Sequence, residues 1–370
     1  LNASARYLAA VGALILFGAV AADDRPAVIP FPDTRPRFVE PERMQAIYDE
    51  VRTPYKYGVI LQGREGELLD SPAVFRHEDR WYMLYVSFRD DIGYEAEIAV
   101  SDDLLDWERL GTILPFSKEG WDAWQTNPSL ALYDTRWEPS SHTLDTHDGK
   151  YWLSYIGGAG QGYEPDPLAI GLATTDDPAA VRPWERLPEN PVLHREQSDN
   201  RDFEYRTLYK SFIFRDEDET LGAPFVMYYN GKAAMYGQEA IGMAVSHDMR
   251  HWTRYGNGPV ISNVGQAPWA ISGDPQIVKM GDVWVMFYFG AFWSPNAFDT
   301  FAASYDLVHW TKWDGPHLIE PSEPFDETFA HKPWVIKHDG VVYHYYCAVG
   351  DRGRVIALAT SKDLGTADVE

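Results

Sequence analysis

Five times along this chain an aromatic-rich strand is followed by a shorter apolar strand that runs into a Ser/Thr-x-Asp signal. The aromatic strands are Arg80-Trp81-Tyr82-Met83-Leu84-Tyr85, Lys150-Tyr151-Trp152-Leu153-Ser154-Tyr155, Pro224-Phe225-Val226-Met227-Tyr228-Tyr229, Val283-Trp284-Val285-Met286-Phe287-Tyr288 and Val341-Val342-Tyr343-His344-Tyr345-Tyr346. The signals that close each unit begin at Ser101, Thr175, Ser246, Ser304 and Ser361, and three of them end on a tryptophan: Trp107, Trp252 and Trp310. A period of several tens of residues with three or four strands per unit means radial or linear repetition. Five such units predict an all-β chain folded as a five-bladed β-propeller, with blades near residues 68–125, 126–202, 203–271, 272–328 and 329–370.

In that fold each sheet buries both faces against its neighbours, which explains Trp and Tyr on both faces of the middle strands. The repeated Asp, Ser and Thr side chains are expected to bond nearby backbone in a tight turn, with the following Trp covering it from outside. These most repeated residues are therefore expected to be structural.

Ahead of the repeats, residues 1–22 read as a secretion leader. Arg6 precedes an apolar run from Tyr7 to Val20, and Ala19-Val20-Ala21 fits a small-x-small cleavage site. The run falls short of the roughly 20 apolar residues of a membrane span. Export to a periplasm or the outside, with no membrane association after leader removal, is the expectation. Residues 23–66 form an N-terminal extension. It is Pro-rich at first, then carries Met44, Ile47 and Val51 at helical spacing behind Pro41. The propeller itself is assigned to residues 67–370, with long charged loops at 135–148 and 188–202 of the kind that carry selectivity.

The net charge of −24 argues against nucleic acid as a partner, because phosphate binding needs clustered Lys and Arg. The single cysteine, Cys347, leaves no intrachain disulfide and no Cys-based metal site. No nucleotide loop, nucleophile elbow or His-Glu-x-x-His motif occurs. The glycine-rich run from Gly157 to Gly162 leads into Tyr163-Glu164-Pro165 rather than a helix, and reads as a blade loop over the central funnel.

In a propeller the innermost strands converge on one axis. Aligned on their prolines, these strands begin Asp70-Ser71-Pro72, Thr126-Asn127-Pro128, Tyr209-Lys210-Ser211, Gly273-Asp274-Pro275 and His331-Lys332-Pro333. The apolar runs that follow are alike, whereas the polar residues before them differ: Asp70, Asn127, Lys210, Asp274, His331 and Lys332. Unlike ionisable groups crowded in one funnel shift each other's protonation, as acid/base chemistry requires. Glu204 and Arg206, just before the third inner strand, are candidates for the same rim. Trp124, Trp269 and Trp293 are candidates for stacking sugar rings.

The repeated Ser-x-Asp-Leu-x-x-Trp signal, with Asp70 opening the first blade, resembles the five-bladed propeller glycosidases, which include glycoside hydrolase families 32, 43, 62, 117 and 130. Family 43 pairs a first-blade Asp with a Glu at a later inner strand, and no inner strand here begins with Glu. The resemblance is better to family 117, which implies Asp70 and Asp274 as the two acidic residues and His331 as the acid. Where that family has an acidic residue after the His, this chain has Lys332. The resemblance implies an exo-acting glycosidase that removes terminal sugars from oligosaccharides of plant or algal polysaccharides. Asp70 would be the base, His331 the proton donor, and Asp274 would orient His331 or raise its pKa. Base and acid on separate blades leave roughly 6.5–9.5 Å, the gap for inversion through a water. Asn127, Lys210, Lys332, Glu204 and Arg206 would bind the sugar. No cofactor is required, a central cation has room, and the N-terminal helix offers a means of swapping into a homodimer. A non-catalytic sugar-binding propeller and a glycoside phosphorylase are the alternatives.

Overall fold

The computed structural model describes residues 28–367, apart from residues 236, 264–265, 268 and 294–296. The leader read at residues 1–22 lies outside them. Among the described residues no helix is long and apolar enough to cross a membrane.

The five repeats form five antiparallel meanders, each four strands wide. Blade one comprises Leu68–His77, Arg80–Arg89, Gly93–Ser101 and Glu108–Leu114, and blade two Gln125–Leu130, Tyr151–Gly158, Ala169–Thr175 and Glu185–Arg186. Blade three comprises Thr207–Arg215, Phe225–Lys232, Glu239–Ser246 and Thr253–Tyr255, and blade four Ile271–Met280, Val283–Ala291, Ala297–Ser304 and Thr311–Lys312. Blade five supplies Phe329–His338, Val341–Gly350 and Gly353–Thr360 from the end of the chain. Its outer strand is Tyr55–Leu61, paired antiparallel with Gly353–Thr360. This is a β-propeller whose last blade is completed by a strand from near its start.

The extension therefore ends earlier than the sequence suggests. Residues 55–61 belong to the propeller because Val59 and Leu61 bury their side chains and the strand covers an otherwise open sheet edge. The preceding helix, Pro41–Val51, buries Met44, Ile47 and Val51 against a cluster with Val285, Phe287 and Val335 of blades four and five. Farther upstream, Val28–Ile29 pairs parallel with the outer strand of blade three. The extension thus lies along its own propeller.

Alternation on the middle strands divides the core. In Val283–Ala291, Trp284, Met286 and Tyr288 face the large cluster, while Val285 and Phe287 face the other. Aromatic pairs lock blade to blade: Trp284 against Phe214 at 5.3 Å and Trp334 against Phe212 at 5.9 Å. Each such pair adds about 0.5–1.5 kcal/mol beyond its area burial.

The closing signals are turns, as their chemistry predicts. Ser304 Oγ accepts from the Asp306 amide, and Asp306 Oδ1 accepts from the amides of Val308 at 3.0 Å and His309 at 2.8 Å. Leu307 between them takes φ +66°, and Trp310 Nε1 donates to the Leu307 carbonyl at 3.0 Å. The same pattern recurs at Ser101–Trp107 and Ser246–Trp252.

Candidate active site

At one end of the axis the inner strands break register in the same place. The ladder slips between Asp70 and Ala73, Leu208 and Ser211, Gly273 and Gln276, and His331 and Trp334. Proline follows in three of these four blades, where its missing N–H costs no ladder bond. The residue before it is thrown into the left-handed region: Ser71 at φ +52°, Asp274 at +50° and Lys332 at +63°. None is glycine, and such strain of about 1–3 kcal/mol each persists where surrounding structure enforces it. The bulges aim side chains into a cavity of about 210 Å³.

Asn127, Lys210, Asp274, His331 and Lys332 all line that cavity. Asp70 is buried beside it. Its Oδ2 accepts from Lys332 Nζ at 2.8 Å and Arg354 Nη1 at 2.9 Å, and its Oδ1 from the Ser71 amide at 2.7 Å. Burial opposes ionisation here, but the two cations outweigh it and hold the carboxyl far below the usual range. Asp274 is instead pushed upward by burial, against the pull of Lys332 and Lys210.

His331 differs from expectation. Its Nδ1 lies 3.1 Å from the Cys347 carbonyl, which can only accept, so that nitrogen carries the proton. Burial first, then Arg354 and Lys332, lower its pKa to about 3. The resemblance implies that Asp274 raises this value; the cations and the apolar setting, with Phe289 at 5.3 Å and Phe329 at 5.7 Å, prevail. At neutral pH the ring is uncharged and Nε2 bears no proton.

Lys210 is lowered to about 8, chiefly by burial, and donates to the Ser71 carbonyl at 3.2 Å. The buried Oδ1 of Asn127 has no partner.

Several sequence candidates stand elsewhere. Glu204 is fully buried, bonded by Arg201 and Arg254 at 2.8 Å each and by Tyr229 at 2.5 Å. It fastens the loop ahead of blade three and does not reach the cavity. Arg206 pairs with Asp166, also off the wall. Trp124 packs against Phe116 at 5.8 Å. Trp293 donates to the Ile271 carbonyl at 2.8 Å and sets its ring on Phe298. Trp269 is exposed, and the carbonyl of its neighbour Ala270 accepts from the Glu239 amide at 3.1 Å. For the central cation, no group of three or more His, Cys, Asp and Glu side chains with metal-holding geometry occurs among the described residues.

The cavity wall also holds residues that inner-strand reasoning misses: Tyr163, Glu164, Tyr209, Asn230, Glu239 and Arg354. Glu164 follows the glycine-rich loop of blade two and stands 3.9 Å from Lys332 Nζ. Burial raises its pKa, against Lys332. Glu239 opens the third strand of blade three. Burial, with Glu164 and Asp274 nearby, lifts its pKa to about 7, although Lys232 lies 3.4 Å away. The wall thus joins three carboxyls of raised pKa to a set of buried cations, with Ile271, Phe289, Phe292 and Phe329 as its apolar side.

No family model matches the chain. A solved structure of BT0996 in an RGII complex is 47% identical, covering 90% of this chain and 98% of its counterpart with a TM-score of 0.86. A second, described as "Glycoside hydrolase", is 47% identical over the same shares with a TM-score of 0.85. A thermostable family-43 glycoside hydrolase shares the fold, with a TM-score of 0.61 at 18% identity over 82% of this chain and 91% of its counterpart. Among curated proteins, the uncharacterized protein Rv1502 of Mycobacterium tuberculosis is 27% identical over 147 residues, 37% of this chain. The chain spans about half the length of the curated relatives it matches, 48% in each case. Likeness at 47% identity over nearly the whole of both proteins, on a propeller whose axial cavity gathers carboxyls of raised pKa, places this protein among the glycoside hydrolases.

Proposed function

We propose that the protein is an exo-acting glycosidase that removes a terminal sugar from a plant-type oligosaccharide, with Glu239 as proton donor and Glu164 as its ionised partner. The observation that carries this reading is the place of Glu239, buried on the cavity wall with Glu164 and Asp274, a setting that lifts its pKa to about 7. An acid of that pKa can both keep and surrender its proton at working pH. Glu164 is the most exposed of the candidate carboxyls, its side chain 22% accessible, and has a cation at its side. Asp274 raises the pKa of both glutamates and so acts as the tuning charge.

This reading revises the roles drawn from the sequence. Asp70 is tied to two cations and the Ser71 amide, so it is better suited to anchoring Lys332 and Arg354 than to activating water. His331 has no proton on Nε2 to give. A compact cavity of about 210 Å³ at one end of the axis supports exo action. Inversion, with Glu164 activating a water, is the stereochemical expectation, checked by proton NMR of the first product anomer.

The similar protein solved in an RGII complex suggests RGII oligosaccharides as the first substrates to try. Sugar release from them is the test. Wild-type protein is expected to release one terminal sugar, and Glu239→Gln and Glu164→Gln to lose about 10²–10⁴-fold with folding intact. Full activity in either variant rejects its assignment. Release of a sugar 1-phosphate only when phosphate is added would replace hydrolysis with phosphorolysis.

A further inference from the structure

Lys332 stands between two carboxyl groups of the site, Asp70 and Glu164. Its Nζ lies 2.8 Å from Asp70 Oδ2 and 3.9 Å from Glu164 Oε1, with its side chain 10% exposed. The backbone sustains a left-handed φ of +63° to put it there, a conformation that lysine adopts only at a cost. Other cations in or beside the cavity have partners of their own. Lys210 donates to the Ser71 carbonyl, Lys232 stands by Glu239, and Arg354 is bonded to Asp70.

We propose that Lys332 is a positioning residue that holds Glu164 in its ionised, working state. This rests on the role given to Glu164 above. The charges facing Glu164 are Lys332 and Arg354 on one side and Asp70 and Asp274 on the other. Glu239 and Tyr209 in turn feel the Glu164 charge, as does the adjoining Tyr163. Burial drives Glu164 toward its neutral form, and Lys332 is the largest influence against it. Arg354 acts on Glu164 less strongly than Lys332 does.

The sign follows directly. Glu164 works ionised, so activity falls as pH drops through its pKa. Removing the ammonium raises that pKa and moves the acidic limb of the profile to higher pH. An opposite charge at this range is worth about one to three pH units.

The experiment is the pH dependence of kcat/KM on an RGII oligosaccharide for wild type, Lys332→Gln, Lys332→Arg and Glu164→Gln. Glutamine can still donate to Asp70 but carries no charge. The expected result is an acidic limb shifted up by about one unit or more in Lys332→Gln and restored in Lys332→Arg. Should Lys332→Gln fold poorly, Asp70→Asn/Lys332→Gln removes the buried pair together. Its limb still moves upward, because Lys332 acts on Glu164 more strongly than Asp70 does. An unmoved limb in the neutral variants, or a higher KM at every pH with no shift, overturns the proposal. Wild-type activity in Glu164→Gln would instead remove the Glu164 role on which it stands.

Discussion

Glu239 shows how burial can prepare a carboxyl for acid catalysis. Its neighbours Glu164 and Asp274 add to the effect, and Lys232 only partly offsets it. In the role proposed for it Glu239 acts protonated, so activity is expected to fall as pH rises through about 7, read from kcat/KM profiles. His331→Asn keeps a donor toward the Cys347 carbonyl and is expected to leave that basic limb in place, whereas loss of the limb would return the acid role to histidine. Sequence spacing brings Asp70, Asn127, Lys210, Asp274, His331 and Lys332 to one place, because inner strands must converge. It cannot find Glu239 or Glu164. The first opens a third strand and the second ends a loop, and nothing in one-dimensional spacing brings either position to the axis. The available signal is Tyr163-Glu164 directly after the Gly157–Gly162 run, which reads as lying over the funnel.

At the level of single elements, the closing turns are the most legible feature, since donor and acceptor lie within a few residues of each other. Asp306 takes two backbone amides and sits 2.6 Å from His309 Nδ1, which hold its pKa below the usual value against burial. Asp306→Ala is expected to cost about 1–3 kcal/mol at neutral pH, as for lost bonds to a charged group, measured by denaturant unfolding. A carboxyl with a depressed folded pKa stabilises above its unfolded value of about 4 and loses that effect as pH falls through the folded one. The gap between wild type and variant should therefore close in acid. The inner-strand bulges are less legible. Alignment on proline sets Asp70 two residues and Asp274 one residue ahead of it, but only the bulge shows that Asp274 and Lys332 are left-handed and line the cavity.

For the whole molecule, the ring is closed by Tyr55–Leu61, which completes the last blade. Its apolar residues alternate too briefly to announce a strand, so sequence alone assigns them to the extension. Val59 is 4% exposed within the last blade's cluster. Val59→Asp buries an unpaired charge there and is expected to lower stability by several kcal/mol, seen as a fall in unfolding midpoint; an unchanged midpoint would mean the closing strand is dispensable. The cavity depends on that closed ring, because its wall draws residues from blades two to five. The central claim is that Glu239 protonates the departing oxygen, and leaving-group dependence tests it most directly. On aryl glycosides of graded leaving-group acidity, wild type should show a nearly flat series. Glu239→Gln should lose about 10²–10⁴-fold on the poorest leaving groups and approach wild type on the most acidic. An equal loss across the series, or none, would contradict the account.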